Sequence, residues 1–260
     1  MLKSAIRNPQ FLMSTEKATA IVLRTVEFSE TSYVVSLFTR EFGKVEGLAK
    51  GARRPKGPFE SALDLLSVCR VVFIRKSADV LDLLTEAKLQ RRFRLRGRDL
   101  AGLYAGYYIV ELLRDLTEVY DPHPGLFDVA DHILQRLTTG EDVAAGVMRF
   151  ELVALRELGH LPSTSNCVEC GRQVEQTPRV AFGRTAGGVL CKQCRPGKRN
   201  VISITREALL AMEQLADPDV DRWQSALLPR PLRGELRGLM GNYISNLLGR
   251  QPRLLPYLGS

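Results

Sequence analysis

Residues 20–58 read AIVLRTVEFSETSYVVSLFTREFGKVEGLAKGARRPKGP, in which β-branched and aromatic runs are broken by turn formers. Ala20–Leu23 and Tyr33–Thr39 have the composition of strands, because branched and aromatic side chains fit a pleated, half-buried surface. Gly43 marks a turn, and Lys44–Lys50 alternates polar and apolar, the period of a strand with one wet face. Gly51–Pro58 is a loop, since Gly and Pro punctuate regular structure. Leu65–Ile74 and Val80–Leu89 continue the pattern as two further strands. Five short strands with no helical period among them predict a small closed barrel, for which the five-stranded OB type is the expected form. Residues 14–92 are assigned to it. Residues 1–13 lack the apolar stretch of a signal peptide and read as a flexible tail, with Met13 as a second candidate start.

Past residue 92 the apolar period lengthens from two to between three and four. Asp99 is a good N-cap ahead of Leu100, Leu103, Tyr107, Val110 and Leu113. Phe127, Ala130, Ile133 or Leu134, and Leu137 repeat that spacing, and Ala144–Leu158 does so again until Gly159 stops it. These stripes are the core-facing sides of helices. Further on, Thr205 caps a helix reaching Leu215, and Leu232–Leu248 predicts a longer one.

Between the two helical stretches lie Cys167, Cys170, Cys191 and Cys194, two C-x-x-C pairs with twenty residues between them. A C-x-x-C turn brings two thiolates to one ion, and two such turns close a tetrahedral sulfur shell of the kind that suits zinc. Arg179–Phe182 and Val189–Leu190 read as hairpin strands, with Gly187 and Gly188 near the turn, which is a zinc-ribbon layout. Four thiolates leave no open position for water or substrate, so the expected Zn2+, one per chain, is structural. No H-x-E precedes a P-C-x-x-C, as a zinc deaminase requires, and neither pair opens a helix after a strand, as a thioredoxin-type site does. His123, His132 and His160 lack metal spacing, and Cys69 sits in an apolar strand. The predicted fold class is thus α+β multidomain: the N-terminal OB-type β-barrel (14–92), then an α-helical domain in two parts (93–165 and 201–260) with a four-cysteine zinc ribbon inserted at 166–200.

No apolar run is long enough to span a membrane. Five cysteines in 260 residues are far below the density of secreted disulfide scaffolds, so a reducing, cytoplasmic (nucleoid-associated) setting is expected. Residues 1–100 carry 19 Lys and Arg against 11 Asp and Glu, residues 101–160 carry 4 against 10, and residues 161–260 carry 14 against 8. A basic head, an acidic middle and a basic tail result. Clustered positive charge favours a polyanion, through attraction and through release of condensed counterions. Two basic groups mark the head: Lys44, Lys50, Arg53, Arg54 and Lys56 on the third strand and its loop, and Arg91, Arg92, Arg94, Arg96 and Arg98 past the fifth. Tyr33, Phe38, Phe42 and Phe59 are the aromatics available for base stacking, the first two more simply read as core. Arg172, Arg179, Arg184, Lys192 and Arg195 leave room for an auxiliary DNA contact on the ribbon. Walker loops, nucleophile elbows and paired carboxylates are all missing.

Three stretches together are similar to one family: residues 20–58 above, RFELVALRELGHLPSTSNCVECG (149–171) and NYISNLLGRQPRLLPYL (242–258). The chain resembles the RecO family of bacterial recombination mediators and DNA repair proteins over nearly everything after Met13. That resemblance implies an OB fold followed by a helical domain with a zinc ribbon. It implies binding of single- and double-stranded DNA, annealing of complementary strands, work with RecR, contact with single-strand-binding protein, and through these the loading of RecA. It maps a basic OB face onto Arg40, Lys44, Lys50, Arg53, Arg54 and Lys56, to which Arg91, Arg92 and Arg94 are added here from charge alone. The acidic tail of single-strand-binding protein would need a basic or apolar pocket, for which Arg149, Arg156 and the basic C-terminal third are candidates. Neither an enzymatic activity nor a small-molecule substrate is expected. The alternatives are a zinc-ribbon nucleic-acid adaptor, or a metal-dependent nuclease built on Glu111, Asp115, Glu118 and Asp121.

Overall fold

The computed structural model describes residues 14–54, 57–59, 62–76, 80–140, 142–175, 177–218, 223 and 228–258. The expected 1–13 tail lies outside them. The chain divides into two compact units, one comprising residues up to Arg92 together with Val119–Pro122, the other Phe93–Glu118 with His123 onward.

The first unit is a five-stranded closed barrel. Its strands are β1 (Thr15–Glu27), β2 (Tyr33–Thr39), β3 (Gly43–Ala49), β4 (Val68–Ile74) and β5 (Asp82–Arg91), ordered β1-β2-β3-β5-β4 and closing back on β1. Four of the five pairings are antiparallel, and the short β3–β5 pairing, residues 47–49 with 82–84, is parallel. The core follows from the two-residue period: Ala18, Ala20, Val35, Leu37, Val45, Ala49, Cys69, Val71, Phe73, Leu84 and Ala87 point inward. β1 is far longer than Ala20–Leu23, because it bends through an irregularity at Val22–Arg24 and pairs first with β4, then with β2. β4 starts later than Leu65, since the chain turns there instead and Leu66 adopts a positive φ of 67°.

Residues 119–122 complete this unit. Because β3 meets β5 only at its far end, its first half has a free edge, and the strap covers it: Val119 bridges Lys44, and the Tyr120 N–H donates to the Lys44 carbonyl at 2.9 Å. Gly43 is required here. At its φ of +68°, a Cβ would sit 2.0 Å from the Asp121 carbonyl oxygen. Tyr120 itself holds φ +61°; its hydroxyl donates to the buried Asp82 carboxylate and Arg75 lies 3.9 Å over its ring.

The second unit packs α1 (Leu100–Leu116), α2 (Pro124–Thr139), α4 (Arg206–Ala216) and α5 (Arg230–Leu248) around α3 (Val143–Glu157), whose residues 146–155 are all buried. A 3-10 turn at Leu255–Tyr257 ends the described chain. The caps act as anticipated: Asp99 accepts from Gly102 N at 3.0 Å, and Thr205 accepts from Ala208 N at 3.3 Å. The cysteine segment carries a three-stranded sheet in the order β7-β6-β8, formed by β6 (Arg179–Gly183), β7 (Gly188–Leu190) and β8 (Val201–Thr205). The third strand runs past the expected ribbon boundary at residue 200. Its partner β6 is not its neighbour in the chain, so no local hairpin signal announces it. Thr205 closes β8 and caps α4 at once, so the ribbon feeds directly into the helical core.

Candidate nucleic-acid interface and metal centre

The predicted barrel cations separate into groups. Arg40 is exposed in the β2–β3 turn, and the half-buried Lys44 follows at the start of β3, beside the strap. Lys50 lies at the other end of β3, about 20 Å away at the rise of an extended strand. There the loop after β3 meets the β1–β2 loop: Arg53 N donates to the Thr31 carbonyl at 3.1 Å. Lys50, Arg53 and Arg54 are all exposed on this loop end. In OB folds the β1–β2 loop is one of the places where nucleic acid binds. Arg53 is partly engaged: its guanidinium pairs with Glu27 at 3.1 Å, donates to the Ser29 carbonyl at 3.3 Å and lies 5.7 Å from the Tyr33 ring centre. Lys50 and Arg54 are the less committed pair. Lys56 lies outside the described residues. Arg91 ends β5, Arg92 pairs with Asp64 at 3.5 Å, and Arg94 belongs to the other unit.

The expected stacking aromatics are not available. Phe38 and Phe59 are buried, Phe42 packs edge-on against Phe73, and Tyr33 lies beneath Arg53. The exposed aromatic of this region is Phe28, 64% accessible in the β1–β2 loop. Periodicity passed over it because it lies beyond the recognised strand. Arg70 and Lys88, also passed over, are exposed on the outer barrel wall, and only the strand register shows that they face one another.

The four cysteines converge at one end of β7. Val168 N donates to the Val189 carbonyl at 3.1 Å, which fastens the first knuckle to β7, and β7 runs straight into Cys191. Each knuckle closes on itself: Gly171 N bonds the Cys167 carbonyl at 2.8 Å, and Arg195 N bonds the Cys191 carbonyl at 3.0 Å. Gly171 adopts φ +71°, the left-handed turn expected after the first pair. All four sulfurs lie within 4.8 Å of one another, and Cys170 and Cys191 Sγ are 3.9 Å apart. A tetrahedral shell with metal–sulfur bonds of about 2.3 Å sets its sulfurs about 3.8 Å apart, so the donor set fits zinc. No disulfide joins these cysteines. Burial raises the Cys167 thiol, but N–H donors from Cys191, Glu169 and Cys170 outweigh it and bring the pKa down to about 6. Donors from Arg172 lower Cys170 as well, whereas Cys194, sharing hydrogen bonds with Cys191 and Cys170, is raised to about 12. Two sulfurs are thus predisposed to the thiolate a metal needs, and one keeps a proton that a metal would displace. Cys69, pushed up to about 12 by burial in the barrel core, is inert. Arg172, Arg179, Lys192 and Arg195 rim a cleft of about 330 Å³ beside the second knuckle, floored by Val174, Val180 and Leu190. Arg184, half-buried, is not among its lining residues.

Several charges among the helices are used internally. Buried Arg149 donates to the Leu215 and Asp217 carbonyls, and Arg156 to that of Ala216, so the two cap the C-terminus of α4. Burial, with Arg156 nearby, draws Arg149 down to about 10. Both candidate guanidinium groups are thus committed to backbone carbonyls within the unit. Glu151, fully buried, accepts from Arg237 and from the Tyr108 hydroxyl, both at 2.5 Å. Two of the acids considered for a nuclease are likewise occupied: Glu111 accepts from the Arg253 and Leu254 N–H groups, and Asp115 pairs with Arg250. Among the described residues, the cysteines are the only group of three or more metal-ligating side chains close enough to share an ion. No helix among them is long and apolar enough to cross a membrane.

Comparison with known proteins covers nearly all of the chain from residue 13 onward. The family model described as "Recombination protein O N terminal" matches residues 13–93, and "Recombination protein O C terminal" matches residues 97–256. A protein from Rhodopirellula baltica named DNA repair protein RecO is 44% identical, covering 92% of this chain and 97% of its own length. Proteins of the same name from Anaeromyxobacter dehalogenans (strain 2CP-1) and Symbiobacterium thermophilum are 33% and 32% identical, covering 92% and 89% of this chain and 94% and 92% of their own.

Proposed function

Because the chain belongs to the RecO family of recombination and DNA repair proteins, we propose that it is a DNA-binding mediator that makes and breaks no covalent bond. It binds single- and double-stranded DNA and anneals complementary single strands. With RecR, it helps load RecA onto strands coated by single-strand-binding protein. Its place of action is the cytoplasm, at the nucleoid.

The observation that carries this reading is the loop end of the barrel, where Lys50, Arg53 and Arg54 gather against the β1–β2 loop with Phe28 exposed beside them. Cations on mobile side chains hold phosphate without reading bases, so binding is tolerant of sequence. A strand whose phosphates are partly neutralised repels its complement less, and the two then pair by their own base chemistry. Phe28 offers a face on which an unpaired base can stack.

Zinc, when held by Cys167, Cys170, Cys191 and Cys194, would supply folding energy to a segment with little core of its own. Its sulfur shell is complete, so it takes no part in any bond exchange. The ribbon cleft, with Lys192 and Arg195 on its rim, is an auxiliary contact for the same phosphate backbone.

The test is annealing of labelled complementary strands precoated with single-strand-binding protein, in magnesium. The expected result is duplex formation with every strand at its original length. Cleavage that persists through stringent purification, or strands left unpaired, would overturn the reading.

A further inference from the structure

The β4–β5 ladder sets Arg70 directly opposite Lys88. Their neighbours Cys69, Val71 and Ala87 point into the core, so these two side chains point outward, and both are exposed. On the other side of Arg70 stands Thr19 of β1, and Lys17, two residues along the same strand, shares the outer face and is exposed as well. Three cations thus lie across three adjacent strands. Among the described residues, none of the three makes an ion pair with a carboxylate. Glu86 shares the face, opposite Val72, and Glu41 reaches its edge to accept from Thr19 N at 2.9 Å.

Like charges directly opposite in an antiparallel ladder destabilise it, at a Cβ separation of about 5 Å, whereas opposite charges there are stabilising. A single change, Lys88→Glu, would convert the first arrangement into the second. The barrel carries this opposition on an exposed wall. Closely spaced cations on a sheet surface, with no carboxylate ion-paired to them among the described residues, fit one class of ligand, a chain of phosphates, whose negative charge relieves the repulsion on binding.

We infer that the outer face of β1, β4 and β5 is a second phosphate-binding surface, with Arg70, Lys88 and Lys17 contacting the backbone of a nucleic-acid strand. It is separate from the loop end at Lys50 and Arg54. The inference rests on the DNA-binding reading above and extends it to a wall of the barrel that the family comparison does not mark.

The experiment compares wild type, Lys88→Glu, Arg70→Glu and the double variant, all as the full chain, by thermal unfolding and by binding of a fluorescent oligo-dT over a range of salt. Each single variant is expected to melt higher than wild type, by about 2 °C for a chain of this size. Each should also bind the strand more weakly, with a log–log salt slope shallower by about 0.7 per cation removed. The double variant, with like charges again opposed, should return to the wild-type melting temperature and bind weakest. Higher melting with unchanged affinity and slope would overturn the surface while leaving the family-based reading intact. Lower melting of both single variants would show that the pair is not repulsive and would overturn it too. Wild-type protein that fails to bind oligo-dT at all would remove the DNA-binding reading itself.

Discussion

In the helical unit Arg149, Arg156, Arg233, Arg237 and Arg250 each end on a carbonyl or a carboxylate of the same unit, whereas in the barrel Lys50, Arg54, Arg70 and Lys88 end at the surface. The two regions use one residue class for two purposes. A guanidinium that caps α4 or neutralises Glu151 is part of the core, and removing it leaves a buried partner unsatisfied. An exposed cation on the barrel adds little to folding and leaves its charge for a partner. Net charge alone therefore cannot single out a candidate DNA surface; the internal commitments of each cation narrow the choice.

That contrast is sharpened by changes expected to act on one side only. The largest effect falls on the ribbon. Cys167→Ala should abolish metal retention, measured by elemental analysis, because apparent zinc-binding energies of about 10–16 kcal/mol underlie folding in such sites. Proteolysis should then cut between residues 166 and 200, while oligonucleotide binding by the barrel cations persists. Glu151→Ala comes next. It strands the buried Arg237 guanidinium, and urea unfolding should show a loss of about 3–5 kcal/mol with unaltered DNA affinity.

Gly43→Ala tests the strap. The left-handed backbone and the Asp121 carbonyl both oppose a Cβ there, so a loss of about 1–3 kcal/mol is expected. Faster hydrogen exchange at residues 119–122 should accompany it. The smallest effect on stability belongs to Lys50→Gln with Arg54→Gln, within about 0.5 kcal/mol of wild type. If that pair proved as destabilising as Glu151→Ala, the division between structural and ligand-facing cations would fail.

The sequence was most informative where one local rule acts alone. Tyr33–Thr39 is rich in branched and aromatic residues and is bounded by turn formers, and the strand has those limits. The four cysteines were legible because a C-x-x-C turn is a local device, and the structure brings them together. Long-range pairing was hidden. β8 is held by β6 rather than by a hairpin neighbour, and the strap joins the barrel through Lys44 and Asp82, both distant in the chain. The commitments of Arg149 and Arg156 depend on where α4 ends, far later in the chain. The Arg70–Lys88 opposition could not be seen at all without the register of β4 and β5.

If barrel cations hold the phosphates, single-strand binding must depend strongly on salt. Wild-type affinity should fall steeply as salt rises, and Lys50→Gln with Arg54→Gln should make the log–log slope shallower by about 1.4, at about 0.7 for each phosphate no longer neutralised. A variant slope identical to wild type, in protein of unchanged stability, would contradict the assignment of DNA to the loop end of the barrel.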